Sequence, residues 1–430
     1  MKLTTTNILH AELLQAAKQV NHSVQKKKYY PAIGEITLQL ARDIINRTYT
    51  PSPYTCFAII DPTPREILAP SFPDRIVHRW LVNKIEPFID KRFLPCSYAN
   101  RKGKGHHSAV KQLQYYLNNP ANKYFLKLDV ESFFNSIDHS LLLRLVNHWI
   151  EKLLCTAEEK KLLHFLSEKI ITHNPTENCL FTGDRSKLKK IPPHKSYFNN
   201  PKARGLPLGN LSSQFFANIY LHELDFFVKH HLKAKYYIRY VDDVVLLAED
   251  KEQLKQWRII IAKFLKEELK LNLHPKKIML QPVSYGIDFL GYIVRKDYLL
   301  VRKRVVKAFK QKLYFYNHIF NRAEFPYLSR EIQQLSHRDK QLSGNGRAEK
   351  MYRSQQLNTP LQPEKKLLEN MQCSINSYYG VFSMADTHRL RKTFYLKHFK
   401  GLQKYFYANN WFKKIGLMKK YAKIPAGARL

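Results

Sequence analysis

The spacing of apolar and polar positions changes repeatedly along the chain, and the changes mark out its elements. Residues 1–60 carry mainly helical spacing, with a proline-introduced strand around Pro51–Ile60. Pro62, Pro64, Pro70 and Pro73 predict a turn-rich stretch. Ile76, Val77, Trp80, Leu81 and Ile85 predict a helix over Ile76–Phe93. Tyr124–Leu128 reads as a short apolar strand and Leu141–Leu154 as an amphipathic helix. Residues 172–204 form a long polar connection broken by Pro175, Pro192, Pro193 and Pro201. Phe215, Phe216, Ile219, Leu224, Phe227 and Val228 then fall near one face of a helix over Ser212–His230. Tyr236–Tyr240 and Val244–Leu247 are two strands around a tight turn, and Lys251–Leu269 is again helical. No solenoid period repeats.

Composition adds a partner. The chain has 430 residues, 44% apolar and 13% aromatic, enough for a sizeable core and for two or three domains. Its 72 basic and 35 acidic residues give a formal charge of +37. Such an excess repels itself and implies a polyanion, here nucleic acid. From residue 301 onward 27 basic residues face 7 acidic ones, which marks a basic, mostly helical C-terminal region. Stretches such as Lys400–Tyr407 interleave cations, which follow phosphates, with rings that can stack on bases. No apolar run of about 18 residues predicts a spanning helix, so no membrane partner is expected. Residues 1–22 lack a signal-peptide core. Five scattered cysteines without a CxxC pair predict neither a zinc site nor a disulfide framework, and a cytoplasmic location fits them. Arg101–Gly105 is a basic loop without P-loop spacing.

Candidate chemistry rests on acids. Tyr240-Val241-Asp242-Asp243 sets two adjacent carboxylates at the tip of an apolar hairpin. Neighbouring strand side chains point to opposite faces, so a bend must aim one of them. A solvated turn would explain a bare pair of aspartates; the apolar flanks argue for a tip held acidic in order to bind a cation. Asp129 lies where the strand Phe125–Val130 leaves the core. Together, Asp129 and Asp242 could hold two Mg²⁺ ions roughly 3.5–4 Å apart. In a chain of charge +37 that arrangement points to nucleotidyl transfer on a nucleic acid. Between the acids, Arg204–Asn218 places Gly205 and Gly209 ahead of a helix N-terminus, where a nucleotide or template strand could lie close to the backbone.

These motifs occur in the order of the reverse transcriptase palm and primer-grip motifs: Asp129 with Phe134, the loop and helix start Gly205–Gln214, Tyr240–Asp243, then Phe289-Leu290-Gly291-Tyr292. The chain resembles that family, and Arg65–Ile67 with Asp74–His78 resembles the fingers of its prokaryotic members. It is most similar to the enzymes of diversity-generating retroelements, which carry LGNxxSQ where most other groups have QGxxxSP. Residues 97–110, 192–210 and 375–392 share that resemblance, which covers roughly residues 30 to 400.

The resemblance implies an α+β right-hand polymerase. An N-terminal region and fingers would take residues 1–120, and a palm whose antiparallel sheet carries the YVDD turn would take 121–285, with an insertion at about 150–204. Primer grip, basic helical thumb and C-terminal extension would take 286–430. Asp129, Asp242 and Asp243 would be the catalytic carboxylates and, with the Val130 carbonyl, the ligands of two Mg²⁺ ions, or of Mn²⁺ in their place. Phe134 matches the steric gate against a ribose 2′-hydroxyl. Arg65, Arg75, Leu208, Gly209 and Gln214 would line the nucleotide, and Lys276 or Lys277 would sit near the leaving pyrophosphate. Gly291 and Tyr292 would support the primer end. Template RNA, the RNA/cDNA duplex and dNTPs are the implied partners, with a small basic accessory protein.

Three readings compete. The first is an error-prone, adenine-mutagenic retroelement enzyme. The second is the same core making effector DNA in anti-phage defence. The third is a silent RNA-binding scaffold, against which the complete set of Asp129, Asp242 and Asp243 argues.

Overall fold

In the computed structural model, residues 5–20, 29–59, 64–320 and 365–422 are described. The chain divides into two units, 1–109 with 121–281, and 110–120 with 282–430.

In the first unit, helices α1 (Thr5–Gln19) and α2 (Ile33–Ile45) pack on each other and on α3 (Phe72–Ile89). The Ser71 hydroxyl accepts the Asp74 N–H at 3.3 Å, and Pro73 occupies the first turn. These two start α3 four residues ahead of the apolar spacing that predicted it. The turn-rich reading of the proline stretch is corrected. Strand β1 (Thr55–Ile59) pairs antiparallel with β2 (Arg65–Ala69), which lies between Pro64 and Pro70. Five residues between prolines were too few for alternation to show. Pro62 lies outside the described residues.

The central sheet comes next. Strand β3 (Tyr124–Asp129) is followed by a single helical turn, then by α4 (His139–Glu151) and α5 (Ala157–Thr172). Asp138 caps α4 and Thr156 caps α5, each by accepting an N–H of the first turn. Residues 172–204 are indeed mostly connection; β4 (Leu180–Phe181) adds a parallel neighbour to β1. Helix α6 (Leu211–Phe226) leads to β5 (Tyr236–Tyr240), β6 (Asp243–Ala248), α7 (Lys251–Glu267) and β7 (Met279–Pro282). The four strands order as β5-β6-β3-β7. Val244 to Ala248 are all buried, the unbroken apolar run of a strand covered on both faces. Trp80, Phe216, Tyr220, Tyr237 and Leu246 belong to the core that spans helices and sheet.

The second unit carries β8 (Ile287–Phe289), β9 (Tyr292–Val294) and β10 (Leu299–Val301) as one antiparallel sheet. Helices α8 (Lys303–Phe320) and α9 (Lys365–Ser383) follow. A separate core of Phe309, Leu313, Tyr379, Phe382 and Phe394 holds them. A hairpin of β11 (Phe406–Ala408) and β12 (Ile415–Leu417) lies near the C-terminal end. The helical reading of the C-terminal region holds for α8 and α9, and its parts in 321–364 and 423–430 lie outside the described residues.

Candidate active site

Strand pairing brings the acids together. Asp129 is the last residue of β3, and its cross-strand partner on β6 is Asp243. Tyr240 on β5 also pairs with Asp243, so Val241 and Asp242 form the two-residue turn between β5 and β6. Val241 has φ of 56°, a value a β-branched residue rarely adopts. Such conformations cost on the order of 1–3 kcal/mol and persist only where the surroundings impose them.

Arg239 is what imposes it. Its side chain is fully buried, as is the Asp225 carboxylate on α6. The guanidinium gives Asp225 two bonds, Nε to Oδ1 at 2.7 Å and Nη2 to Oδ2 at 2.6 Å. Burial opposes the charge, but Asp225 outweighs it and holds the guanidinium ionised. Nη1 reaches the Val241 carbonyl at 3.0 Å and Asn218 Oδ1 at 3.3 Å; Nη2 reaches Ser97 Oγ at 3.0 Å. The turn that carries Asp242 is thereby tied to α6 by a planar fork.

Around the acids, the Asp129 carbonyl accepts the His274 N–H at 2.8 Å, and the Glu131 N–H donates to the Asn272 carbonyl at 2.8 Å. These bonds fix the backbone on either side of Val130, whose side chain is buried. Lys277 Nζ lies 2.6 Å from Asp129 Oδ2, and Lys127 Nζ lies 3.0 Å from Asp243 Oδ2. The lysine placed at the acids is therefore Lys277 and not Lys276, whose N–H donates to His274 Nδ1 in a helical turn. Asp138, the remaining acid of the segment, is occupied as a helix cap and by Lys270 at 2.8 Å. Asp242 is half-buried; burial first, then the Asp129 and Asp243 charges, push its carboxyl up to about 6.

Among the described residues, no three His, Cys, Asp or Glu side chains are already gathered as a metal cage. The donor set nonetheless fits a hard divalent cation. All its donors are oxygen, two acids pair across strands, and burial together with the charges of those two pushes the third carboxyl up. Lys277 and Lys127 put ammonium groups on the oxygens that such a cation would need.

The loop ahead of α6 is built with equal care. Gly205 has φ of 95°, and a Cβ there would lie 2.3 Å from Asn200 Nδ2 and 3.0 Å from Tyr197 Cε2. Its carbonyl accepts the Tyr197 hydroxyl at 3.0 Å and lies 2.6 Å from His139 Nε2. Gly209, at φ of 122°, would put a Cβ 3.0 Å from the Leu68 carbonyl. The Leu68 N–H donates to the Leu208 carbonyl at 3.0 Å, which pins the loop to β2. Leu208 is half-buried, and Gln214 is exposed on the first turn of α6. Phe134 is half-buried, with its ring 5.4 Å from that of Phe133. Its carbonyl accepts the Leu206 N–H at 2.7 Å, so the loop is joined to the segment after β3. Arg65 opens β2 and is exposed; Arg75 Nε donates to the Pro70 carbonyl at 3.1 Å.

Gly291 and Tyr292 belong to the second unit. Gly291 has φ of 93°, while Tyr292 is fully buried and its hydroxyl donates to the Val381 carbonyl at 2.9 Å.

Sequence reasoning missed Arg239, Asp225 and Lys127. A charge inside an apolar strand and an acid on an apolar helix were the available signs. It also missed Glu66, buried on β2, which accepts Ser196 Oγ at 2.5 Å and the Tyr197 N–H at 2.7 Å.

Residues 61–294 match the family described as "Reverse transcriptase (RNA-dependent DNA polymerase)". Protein YkfC of Escherichia coli is 24% identical over 316 residues, 64% of this chain and 76% of that protein. Group II intron-encoded protein LtrA of Lactococcus lactis is 22% identical over 340 residues, 64% of this chain and 52% of that protein. This chain thus spans about half the length of LtrA. Among solved structures, a telomerase from Candida albicans aligns with TM-score 0.42 and 11% identity, over 84% of this chain and 66% of that one. An apo telomerase from Candida tropicalis aligns with TM-score 0.42 and 12% identity, over 58% of this chain and 56% of that one.

Two outcomes follow from this geometry. Asp225→Asn leaves a buried guanidinium without its counter-charge and should destabilise the protein by about 3–5 kcal/mol, read from denaturant midpoints. Arg239→Lys keeps the charge but not the fork; it should lower kcat more than it changes KM for the nucleotide, because the Val241 carbonyl loses its donor. Equal kcat in this variant would remove Arg239 from the role.

A third outcome depends on pH. A carboxyl raised to about 6 is protonated below that value, so a cation must displace its proton. Mn²⁺ affinity, followed by electron paramagnetic resonance, should fall as pH drops through about 6, and Asp242→Asn should flatten the profile. In metal-free protein the sign is opposite for stability. The folded state favours protonated Asp242, so this contribution is full at low pH and disappears as pH rises through about 6.

Proposed function

The chain belongs to the reverse transcriptase (RNA-dependent DNA polymerase) family, and from that premise we propose that it copies a template RNA into cDNA by two-metal nucleotidyl transfer. One observation carries the reading: within the matched span, Asp129 and Asp243 are cross-strand partners and Asp242 sits on the turn beside them. The fold class is that of the α+β right-hand polymerases, with the YVDD turn on an antiparallel sheet.

Two Mg²⁺ ions, or Mn²⁺ in their place, would activate the primer 3′-hydroxyl and neutralise the triphosphate when bound. Asp129, Asp242 and Asp243, with the Val130 carbonyl, would hold them. Lys277, now on Asp129, is the better placed of the two lysines to meet the pyrophosphate as it leaves. Arg65 and Arg75 would face the triphosphate, and the Phe134 ring would fill the space of a ribose 2′-hydroxyl. The loop Leu208–Gly209 and Gln214 would border the base and sugar. Fingers in 1–120, palm in 121–285 and primer grip with thumb in 286–430 complete the assignment, with Gly291 and Tyr292 shaping the primer grip from its backbone.

The finer reading is an adenine-mutagenic enzyme of a diversity-generating retroelement, served by a small basic accessory protein. Supporting it are the similar stretches at 97–110, 192–210 and 375–392, and Leu208 at a position where most family members place glutamine. An apolar side chain offers no polar contact by which to read the nascent pair, and sites without such contacts discriminate less. A cytoplasmic location remains the reading suggested by the sequence, whose five cysteines are scattered and form no CxxC pair. No helix among the described residues is long and apolar enough to cross a membrane.

Primer extension on an RNA template tests the core reading. Asp242→Asn should abolish dNTP incorporation while RNA affinity, which comes from the +37 charge, stays nearly intact. Normal extension by this variant would remove Asp242 from the site. Single-nucleotide insertion opposite each template base tests the finer reading. Because the Leu208 backbone is pinned by Leu68, Leu208→Gln changes only the side chain, and it should lower misincorporation opposite adenine. If the parent is already accurate opposite adenine, the mutagenic reading fails and synthesis of effector DNA in defence takes its place.

A further inference from the structure

The C-terminal hairpin holds a cavity and an exposed ring that the polymerase site does not use. Between Thr387 and Leu430 the sequence has 12 basic residues and no acidic one. Within that stretch β11 and β12 pair Tyr407 with Gly416. The phenol end of the Tyr407 ring passes close over Gly416: a Cβ at Gly416 would come within 2.3 Å of Tyr407 Cζ, 2.5 Å of Cε1 and 2.6 Å of the hydroxyl oxygen. Glycine there seats the ring on bare backbone. Yet Tyr407 is 43% exposed, so the seating does not serve a core. Strand β12 is itself fixed to α9. Asn376 donates to the Ile415 carbonyl at 2.9 Å and accepts the Ile415 N–H at 2.8 Å; Gln372 Nε2 adds a bond to the same carbonyl at 3.1 Å.

Beside the ring opens a cavity of about 420 Å³. Lys365, Glu369 and Gln372 of α9 line it, with Tyr407, Lys414 and Gly416 of the hairpin region. Its size suits a single nucleotide-sized group. Two ammonium groups offer contacts to a phosphate, Gln372 and Glu369 offer polar contacts to a base edge, and the fixed ring offers a face to stack on. Trp411, 71% exposed between the two strands, places a second ring along the same basic hairpin.

We propose that the hairpin Phe406–Leu417 with α9 is a binding site for single-stranded RNA, in which Tyr407 stacks one unpaired base beside Lys365 and Lys414. The inference rests on the reading of the chain as an enzyme that acts on RNA, and adds to it a grip on unpaired template made by residues outside the catalytic motifs. A stacking platform requires unpaired bases, so a blunt RNA duplex is not its ligand.

The test uses the full chain and fluorescence anisotropy with a short labelled oligoadenylate, a blunt RNA duplex, and vesicles carrying anionic lipid. Tyr407→Ala should weaken oligoadenylate binding by roughly 5- to 150-fold, the loss of one stacked base. Tyr407→Trp should restore it, a rescue that general loss of folding would not allow. Gly416→Val, which displaces the ring without removing it, should behave like Tyr407→Ala. Replacing Lys365 and Lys414 by Gln should reduce the salt slope by about 0.7 for each phosphate that is no longer neutralised, whereas Tyr407→Ala leaves the slope unchanged. Equal oligoadenylate affinity in parent and Tyr407→Ala overturns the proposal. So does a loss that is as large for the duplex or for the vesicles. Primer extension by the parent chain, measured alongside, reports on the polymerase reading separately: its failure would sink that reading, while the Tyr407 series alone decides the hairpin.

Discussion

The buried pair of Arg239 and Asp225 is the constraint on which the rest of the site depends. A fully buried guanidinium is tolerated only when its charge and its donors are met, and here all of them serve structure. Asp225 takes two bonds, and the remaining donors go to Asn218, Ser97 and the Val241 carbonyl. Tyr237 adds a hydroxyl to Asp225 at 2.7 Å. The pair is therefore a joint among α6, β5 and the turn. Replacing it by apolar side chains of the same volume need not cost stability, but it would release the turn. What the charge secures is a single conformation at Val241.

That conformation decides where three acids point. The turn is short, and its first residue is held at positive φ, so Asp243 enters β6 directly opposite Asp129 and Asp242 stays on the bend. Burial first, and then the charges of Asp129 and Asp243, push the Asp242 carboxyl up to about 6. Lys127 and Lys277 relieve part of the repulsion at the other two. The same helix that anchors Arg239 begins at the loop pinned to β2 through Leu208 and Leu68. One rigid element, α6, thus sets both the acids and the loop proposed to border the nucleotide.

The sequence disclosed this site unevenly, for physical reasons. The acids were legible because charge at the tip of an apolar hairpin is conspicuous. Strands β3, β5 and β6 were legible because they are mainly apolar runs, interrupted by Lys127 in β3 and by Arg239 in β5. Strand β2 was hidden by the prolines on either side, since five residues give alternation no room. Lys276 and Lys277 could not be told apart by spacing; only the helical turn after His274 sends one of them to Asp129. Arg239 and Asp225 are 14 residues apart and meet only because β5 packs against α6. No local pattern encodes that meeting, although each residue was anomalous alone: a charge within Tyr236–Tyr240, and an acid on the apolar face of a helix.

Charge is distributed unevenly along the chain. Carboxylates at the proposed catalytic centre would repel the phosphates of a nucleic acid, and divalent cations would cancel that repulsion only locally. On that proposal, nucleic acid is held by charge placed elsewhere on the chain. Of the formal +37, the segment from residue 301 onward supplies 27 basic against 7 acidic residues, more than half of the net excess in less than a third of the length. Its last 44 residues hold no acid at all. Charge alone grips a phosphate backbone without regard to whether the strand is paired. Rings fixed on glycine and left open, as Tyr407 is on Gly416, add the one feature that prefers unpaired bases. A polymerase that must keep template single-stranded ahead of copying would need both kinds of contact, and the hairpin proposed as an RNA site carries groups for both, Lys413 and Lys414 with Tyr407.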